Sequence, residues 1–252
     1  MMKQNKYDDE NFFSAYEKMP RSVKGLEGAG EWHVLKALMP ELKNKNVLDL
    51  GCGFGWHCRY VREQEASSVI GVDISEKMLQ KARENTDDPL ISYMKMPIEE
   101  INFTDSQFDV VISSLAFHYI KSFEEICKKV YKCLRTGGTF LFSVEHPIFS
   151  SRNEQDWYYD EQGNRLHWPV DHYQSEGVRE TTSLTDNVMK YHRTISTYIN
   201  DLIGAGFSIR AVKEPTPSNE MLKSVPGITD ELRRPMFLMI LAVKDHTSSN
   251  KI

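Results

Sequence analysis

The residues best arranged for chemistry are Val47-Leu48-Asp49-Leu50-Gly51-Cys52-Gly53-Phe54-Gly55. An apolar run ends around an acid, and alternating glycines follow. Glycine reaches dihedrals closed to other residues and lets a ligand approach the backbone, so this reads as a binding loop opening a helix. Trp56 stands where the usual dinucleotide fingerprint has its last glycine. Asp49, just ahead of the loop, repels a pyrophosphate and suits a ligand with a cationic amino group. A second apolar run, Ile70-Gly71-Val72-Asp73-Ile74-Ser75, also ends on an acid. A carboxylate at that point can accept from two ribose hydroxyls, which says nucleoside without saying which one.

Other candidates are single titratable groups. His118 follows an apolar run, and so do Glu145 and His146. A neutral imidazole can take a proton near neutral pH. Arg21 can pair bidentately with a carboxylate. Cys52, Cys58, Cys127 and Cys133 have no C-x-x-C spacing, so they read as buried reduced thiols, and no metal site is expected.

These residues need a scaffold. Val47–Leu50, Val69–Val72, Leu90–Met94, Phe108–Ile112 and Thr139–Val144 read as buried strands, separated by amphipathic helices. Trp32, Leu35, Leu38, Met39 and Leu42 fall near helical spacing, interrupted by Pro40. Ser75 is a helix cap, and Ser122-x-x-Glu125 is a capping box. Strands apolar throughout imply a parallel sheet covered on both faces. Residues 145–191 break the rhythm with Trp157, Tyr158, Tyr159, Trp168 and Tyr173, and Asp160–Asn164 reads as a hairpin turn. A helix follows, then strands at Phe207–Val212 and Met236–Val243, joined by a long link that suits an antiparallel closing hairpin. The fold class is α/β: a Rossmann-like, mostly parallel seven-stranded sheet with helices on both faces. Residues 1–252 form one domain, with 1–42 a helical cap and 145–191 an insertion serving as a substrate lid.

The glycine loop and the Asp73 segment resemble those of the class I S-adenosylmethionine-dependent methyltransferases acting on small molecules. Phe108–His118 is similar to the family's fourth-strand motif, and Leu134-Arg135-Thr136-Gly137-Gly138 to its turn before the fifth strand. The resemblance implies S-adenosyl-L-methionine as cofactor and S-adenosyl-L-homocysteine as product. It implies cofactor contacts at Asp49, Gly51, Cys52, Gly53, Asp73, Ile74, Met78 and Ser114, with Arg21 toward the cofactor carboxylate. Pro97-Ile98-Glu99 replaces the family's Asp-Ala-Glu, so either backbone groups at Ile98 and Glu99 hold the adenine or Glu99 substitutes for the acid. A base, if one is needed, is expected at His118, then at His146 or Glu145. Methyl transfer mainly requires alignment of donor and acceptor and exclusion of water.

The chain has 252 residues, a formal net charge of −5 and 40% apolar residues. That permits a full core without disulfide staples and gives no basic footprint for nucleic acid. No apolar run reaches membrane-spanning length, and the N-terminus has no apolar signal region, so a cytoplasmic location is expected. The partner expected is a small-molecule methyl acceptor of unspecified identity, with oligomeric state open. Two rival readings are a nicotinamide-dependent oxidoreductase and a non-catalytic cofactor-binding module; the latter would leave no room for an acceptor.

Overall fold

The computed structural model of the chain describes residues 5–245. Three short helices, Glu10–Tyr16 (α1), Pro20–Val23 (α2) and Trp32–Leu38 (α3), precede the first strand. Asp9 caps α1 by accepting from Phe12 N–H, and Pro20 occupies the first turn of α2, where its missing N–H costs nothing.

Strands and helices then alternate: Asn46–Leu50 (β1), Trp56–Glu63 (α4), Ser68–Asp73 (β2), Glu76–Glu84 (α5), Ile91–Lys95 (β3), Phe108–Ser114 (β4), Phe123–Cys133 (α6) and Leu134–Glu145 (β5). Ser75 accepts from Met78 N–H at the start of α5, and Ser122 from Glu125 N–H at the start of α6, so both expected caps form. The strand expected from Thr139 already begins at Leu134, because the glycine pair continues the β5 backbone after a register irregularity against β4.

Beyond β5 come Pro147–Ser150 (α7), the antiparallel pair Tyr158–Tyr159 (β6) and Arg165–His167 (β7), and the hairpin Gly177–Ser183 (β8) with Thr185–His192 (β9). Ile195–Gly204 (α8), Ser208–Lys213 (β10), Asn219–Ser224 (α9) and Phe237–Val243 (β11) complete the described chain.

The main sheet has the order β10-β11-β5-β4-β1-β2-β3. Strands β1 to β5 pair in parallel, and β11 runs antiparallel to both β5 and β10. Alternate strand residues supply two cores, as a period of two requires. Leu48, Leu50, Val111, Phe140 and Phe142 face α6 and α8, where Phe123, Val130, Tyr198 and Leu202 meet them. Val47, Val69, Val110, Ile112 and Leu141 face the other way, toward Trp32, Cys58, Val61 and Leu79. All four cysteines are buried and free. No described helix is long and apolar enough to cross a membrane.

Candidate functional site

Strand order reverses between β1 and β4, and such a point opens a crevice at the carboxyl ends of the strands. One cavity of about 1030 Å³ occupies this edge, large enough for a cofactor and a second small molecule. Gly51, Gly53, Asp73, Ile74, Met78, Ile98, Glu99 and Ser114 all line it, as expected from the sequence.

Gly51 has φ +78°, and a Cβ there would lie 2.6 Å from the Ala116 Cβ, so no other residue fits without displacing the chain. Gly53 has φ +53° with open space around it. Asp73 is oriented by two backbone donors: Gly53 N–H to Oδ2 and Ser75 N–H to Oδ1, each at 2.9 Å. The carboxylate keeps lone pairs for further donors. Burial raises its pKa to about 6, against the lowering effect of these N–H groups.

Two residues expected at the cofactor do not reach the cavity wall. Cys52 points into the core, packed near Gly71, and only its glycine neighbours line the cavity. Asp49 is buried behind the loop and accepts from the Cys58 thiol at 3.3 Å. Burial raises its pKa to about 7, and the Asp73 charge adds to this. Its influence on a ligand is therefore electrostatic, through the loop, rather than by contact.

On the other side of the reversal, β4 and β5 deliver His118 and Glu145 to the same cavity. Leu115 has φ +54°, an unfavourable conformation for a branched side chain, and its N–H is held by the Ser143 carbonyl at 2.9 Å. This tight exit from β4 leads into the turn Phe117–Tyr119. Arg193 secures that turn by donating to the Phe117 and Ile120 carbonyls. His118 Nδ1 accepts from Glu145 N–H at 3.4 Å, which assigns the ring proton to Nε2. Burial lowers its pKa to about 4. The ring is thus a neutral donor through Nε2, whereas the sequence had ranked it first as a base.

Glu145 accepts from Lys190 Nζ at 2.6 Å and from Gln155 Nε2 at 3.1 Å. Burial pushes its carboxyl pKa up, but the charge of Lys190 and the hydrogen bonds from Lys190 and Gln155 work against this, and the carboxyl lies below its ordinary value. His146 is corrected more fully. It is fully buried, its Nδ1 accepts from Ile148 N–H to cap α7, and its Nε2 bonds Glu214 at 2.8 Å. It does not line the cavity, because the chain turns into α7 immediately after β5.

The insertion reaches the cavity, but not through the aromatics expected. Phe149, Leu184, Val188, Met189 and Tyr191 line it. Trp157 and Trp168 do not; they form a small core of their own around Arg234, whose guanidinium lies 4.1 Å from the Trp168 ring centroid. Tyr173 accepts from Ile195 N–H at the start of α8 instead.

Sequence reading missed two other contributors. The link after β10 adds Pro217, Met221 and Ile228, and the N-terminal segment adds Tyr7, Tyr16 and Glu31 beside Arg21. Ser218 accepting from Met221 N–H is a cap signal that marks the first. Nothing local marks the second, since its role depends on distant packing.

The sheet order and the glycine cavity at its reversal define a Rossmann-like methyltransferase class. Residues 48–142 match the methyltransferase domain family model. A crystal structure of a protein assigned as an S-adenosylmethionine-dependent methyltransferase from Listeria monocytogenes is 52% identical, with a TM-score of 0.84 over 88% of this chain and 100% of that one. A second, from Mesorhizobium loti, is 42% identical, with a TM-score of 0.82 over 87% and 100%. A sequence relative, N-demethylindolmycin N-methyltransferase from Streptomyces griseus, is 26% identical over 198 residues, 70% of this chain and 78% of that protein. The chain belongs to the S-adenosylmethionine-dependent methyltransferases. It is an enzyme of that class, which decides against the nicotinamide and non-catalytic readings. The residues present fit the cofactor: left-handed glycines give backbone access, and Asp73 is held as a ready acceptor.

Proposed function

We propose that this enzyme methylates a small, largely apolar acceptor carrying one nucleophilic hydroxyl or amine, in the cytoplasm. The observation that carries this reading is the order of residues along one sheet edge. Gly51 and Gly53 follow β1 and Asp73 ends β2, whereas His118 follows β4, Glu145 ends β5 and Phe237 opens β11, all within the same cavity. The first group suits the nucleoside and the second the acceptor. Val188, Met221, Ile228 and Met236 add apolar wall. A concave, mostly apolar wall of this kind favours a small molecule over a nucleic acid, consistent with the net charge of −5. The similarity to an N-methyltransferase acting on N-demethylindolmycin supports a small acceptor.

In this reading Asp73 accepts from the ribose hydroxyls, Ile74, Met78 and Ile98 pack against the adenine, and backbone groups near Ile98 hold its edge. When bound, S-adenosylmethionine supplies a methyl group on a positively charged sulfur. The protein aligns the acceptor and excludes water. His118 Nε2–H donates to the acceptor heteroatom, and the ionised Glu145 carboxylate takes a proton from it where one must leave. The segment 145–191 and the N-terminal segment 5–42 act as lids over the two halves.

The test is a panel of apolar phenols, alcohols and amines, read by release of S-adenosylhomocysteine. Turnover of at least one, together with roughly tenfold or greater loss of S-adenosylhomocysteine affinity in folded Asp73→Ala, is expected. Unchanged affinity in that variant overturns the ribose assignment, and turnover confined to protein or nucleic acid overturns the acceptor class.

A further inference from the structure

Lys190 occupies a position that the pattern of its strand reserves for apolar residues. Side chains alternate along β9, and Val188, Lys190 and His192 share its buried face. Lys190 is only 1% exposed, and burying an ammonium is unfavourable unless it is paired and hydrogen-bonded. Its Nζ donates to Glu145 Oε1 at 2.6 Å and to Gln155 Oε1 at 2.9 Å. Gln155 Nε2 donates in turn to Glu145 Oε2 at 3.1 Å, which closes a ring of three side chains. Each carboxylate oxygen thus has one donor and a lone pair left over. The ring does not seal Glu145 in, because its side chain remains 15% exposed and lines the cavity beside His118.

The other groups around this carboxylate do not replace Lys190. His118 and Tyr119, on the turn after β4, and Tyr198, on α8, are neutral at pH 7. Burial lowers the imidazole pKa and raises those of both phenols. Arg193, behind the same turn, is engaged by the Phe117 and Ile120 carbonyls, and Arg21 by Glu31. The same sheet edge holds two carboxylates for comparison. Asp73 accepts from two backbone N–H groups and Asp49 from a thiol, and neither touches a cation among the described residues. Burial raises both, to about 6 and about 7. Glu145, which has the ammonium, lies below its ordinary value instead.

We propose that Lys190 is a positioning residue for methyl transfer, which together with Gln155 fixes the Glu145 carboxylate at the cavity wall in its ionised form. The inference rests on the reading of Glu145 as the group that takes the acceptor's proton. In that step a lone pair of the acceptor heteroatom forms the bond to the methyl carbon. The carbon–sulfur bond breaks with its electron pair left on sulfur, and the heteroatom's proton passes to Glu145 and from there to water. Both Lys190 and Gln155 belong to the segment 145–191, so this segment arms the carboxylate as well as walling the cavity.

The test is a pH titration of the Glu145 carboxyl carbon by NMR, on the full chain with isotope-labelled glutamate. The resonance is assigned by its loss in Glu145→Gln. The wild-type midpoint is expected below the ordinary value of 4.5. Lys190→Met, similar in volume but uncharged, is expected to raise it by more than about one and a half pH units. Gln155→Leu removes a neutral hydrogen bond and is expected to raise it by less than about one. A smaller rise than this in Lys190→Met overturns the proposal and leaves the role of Glu145 standing. Should Lys190→Met not fold, the wild-type titration decides: a midpoint below about 5 supports the proposal and a higher one overturns it. Kinetics on the panel of phenols, alcohols and amines separates the underlying reading. Lys190→Met is expected to gain an acid limb in kcat, about tenfold slower than wild type near pH 6 and within about threefold near pH 8. Glu145→Gln is expected to be slow throughout, by ~10²-fold or more. Turnover by Glu145→Gln within about threefold of wild type overturns Glu145 as proton acceptor, whatever the titration shows.

Discussion

His118 shows how a single hydrogen bond changes the chemistry a residue can perform. Its type and position after β4 suggested a base, but Glu145 N–H donates to Nδ1, so the proton lies on Nε2 and the ring can only donate into the cavity. With burial lowering the pKa to about 4, the ring stays neutral above pH 5 and contributes no limb to a pH–rate profile between about 5 and 8. His118→Gln, which keeps an N–H donor, is expected to retain turnover within about fivefold, while His118→Ala loses more, about 10-fold or above. A base would make the two variants equally slow, at ~10²–10⁴-fold. Steady-state kinetics of both on one acceptor decide the matter. The residue types at this site were legible in the sequence, because strand ends must bring Asp73, His118 and Glu145 to one edge. Their proton states were not. The Nδ1 contact spans β4 and β5, and Lys190, which pairs with Glu145, arrives from β9. No local pattern announces either.

At the scale of elements, periodicity located the strands and capping chemistry located α5 and α6, since both signals are local. The insertion was legible as an interruption, but not in its packing. Trp157 and Trp168 satisfy one another around Arg234, which comes from just before β11, so their composition pointed to the wrong surface. The N-terminal cap is fastened by a similarly distant contact. Asp8 accepts from Ser75 Oγ at 2.5 Å and from Lys77 N–H at 3.1 Å, so the segment carrying Tyr7 is tied to the first turn of α5. Ser75 also accepts from Met78 N–H, linking the cap of the helix to the closure of the cavity. Asp8→Ala removes the anion from the helix start and both bonds, a local cost of about 1–2 kcal/mol. Release of S-adenosylhomocysteine is expected to accelerate about 5- to 20-fold, with little change in melting temperature. Stopped-flow fluorescence measures the release, and an unchanged rate would show that the cap does not gate the site.

For the whole molecule, stability and binding depend in opposite ways on one buried charge. Among the described residues, the contact made to the Asp49 carboxylate is the Cys58 thiol, and burial raises its pKa to about 7 from an ordinary value near 3.8. A raised carboxyl pKa means the folded state holds the proton longer than the unfolded chain. Stability therefore falls as pH rises from about 4 to 7. His57 and His118 work the other way. Burial lowers both to about 4 from 6.5, so the unfolded chain binds more protons in that range and stability rises with pH between them. Above pH 7 the histidine contributions are saturated and the Asp49 cost is fully present. Asp49→Asn removes that cost, worth up to about 4 kcal/mol at pH 8 and less at pH 5. The melting temperature of the ligand-free variant is expected to rise by several degrees at pH 8, with a smaller gain at pH 5. Binding reverses the preference. The sulfonium and α-ammonium of S-adenosylmethionine favour the ionised carboxylate behind the glycine loop, so the cofactor should raise the melting temperature of the wild-type protein more than that of Asp49→Asn. Thermal denaturation at both pH values, with and without S-adenosylmethionine, tests the two halves together. A variant that melts no higher than wild type at pH 8 would show that Asp49 is not a destabilising charge. An equal cofactor-induced shift in both proteins would show that the charge is not kept for the ligand.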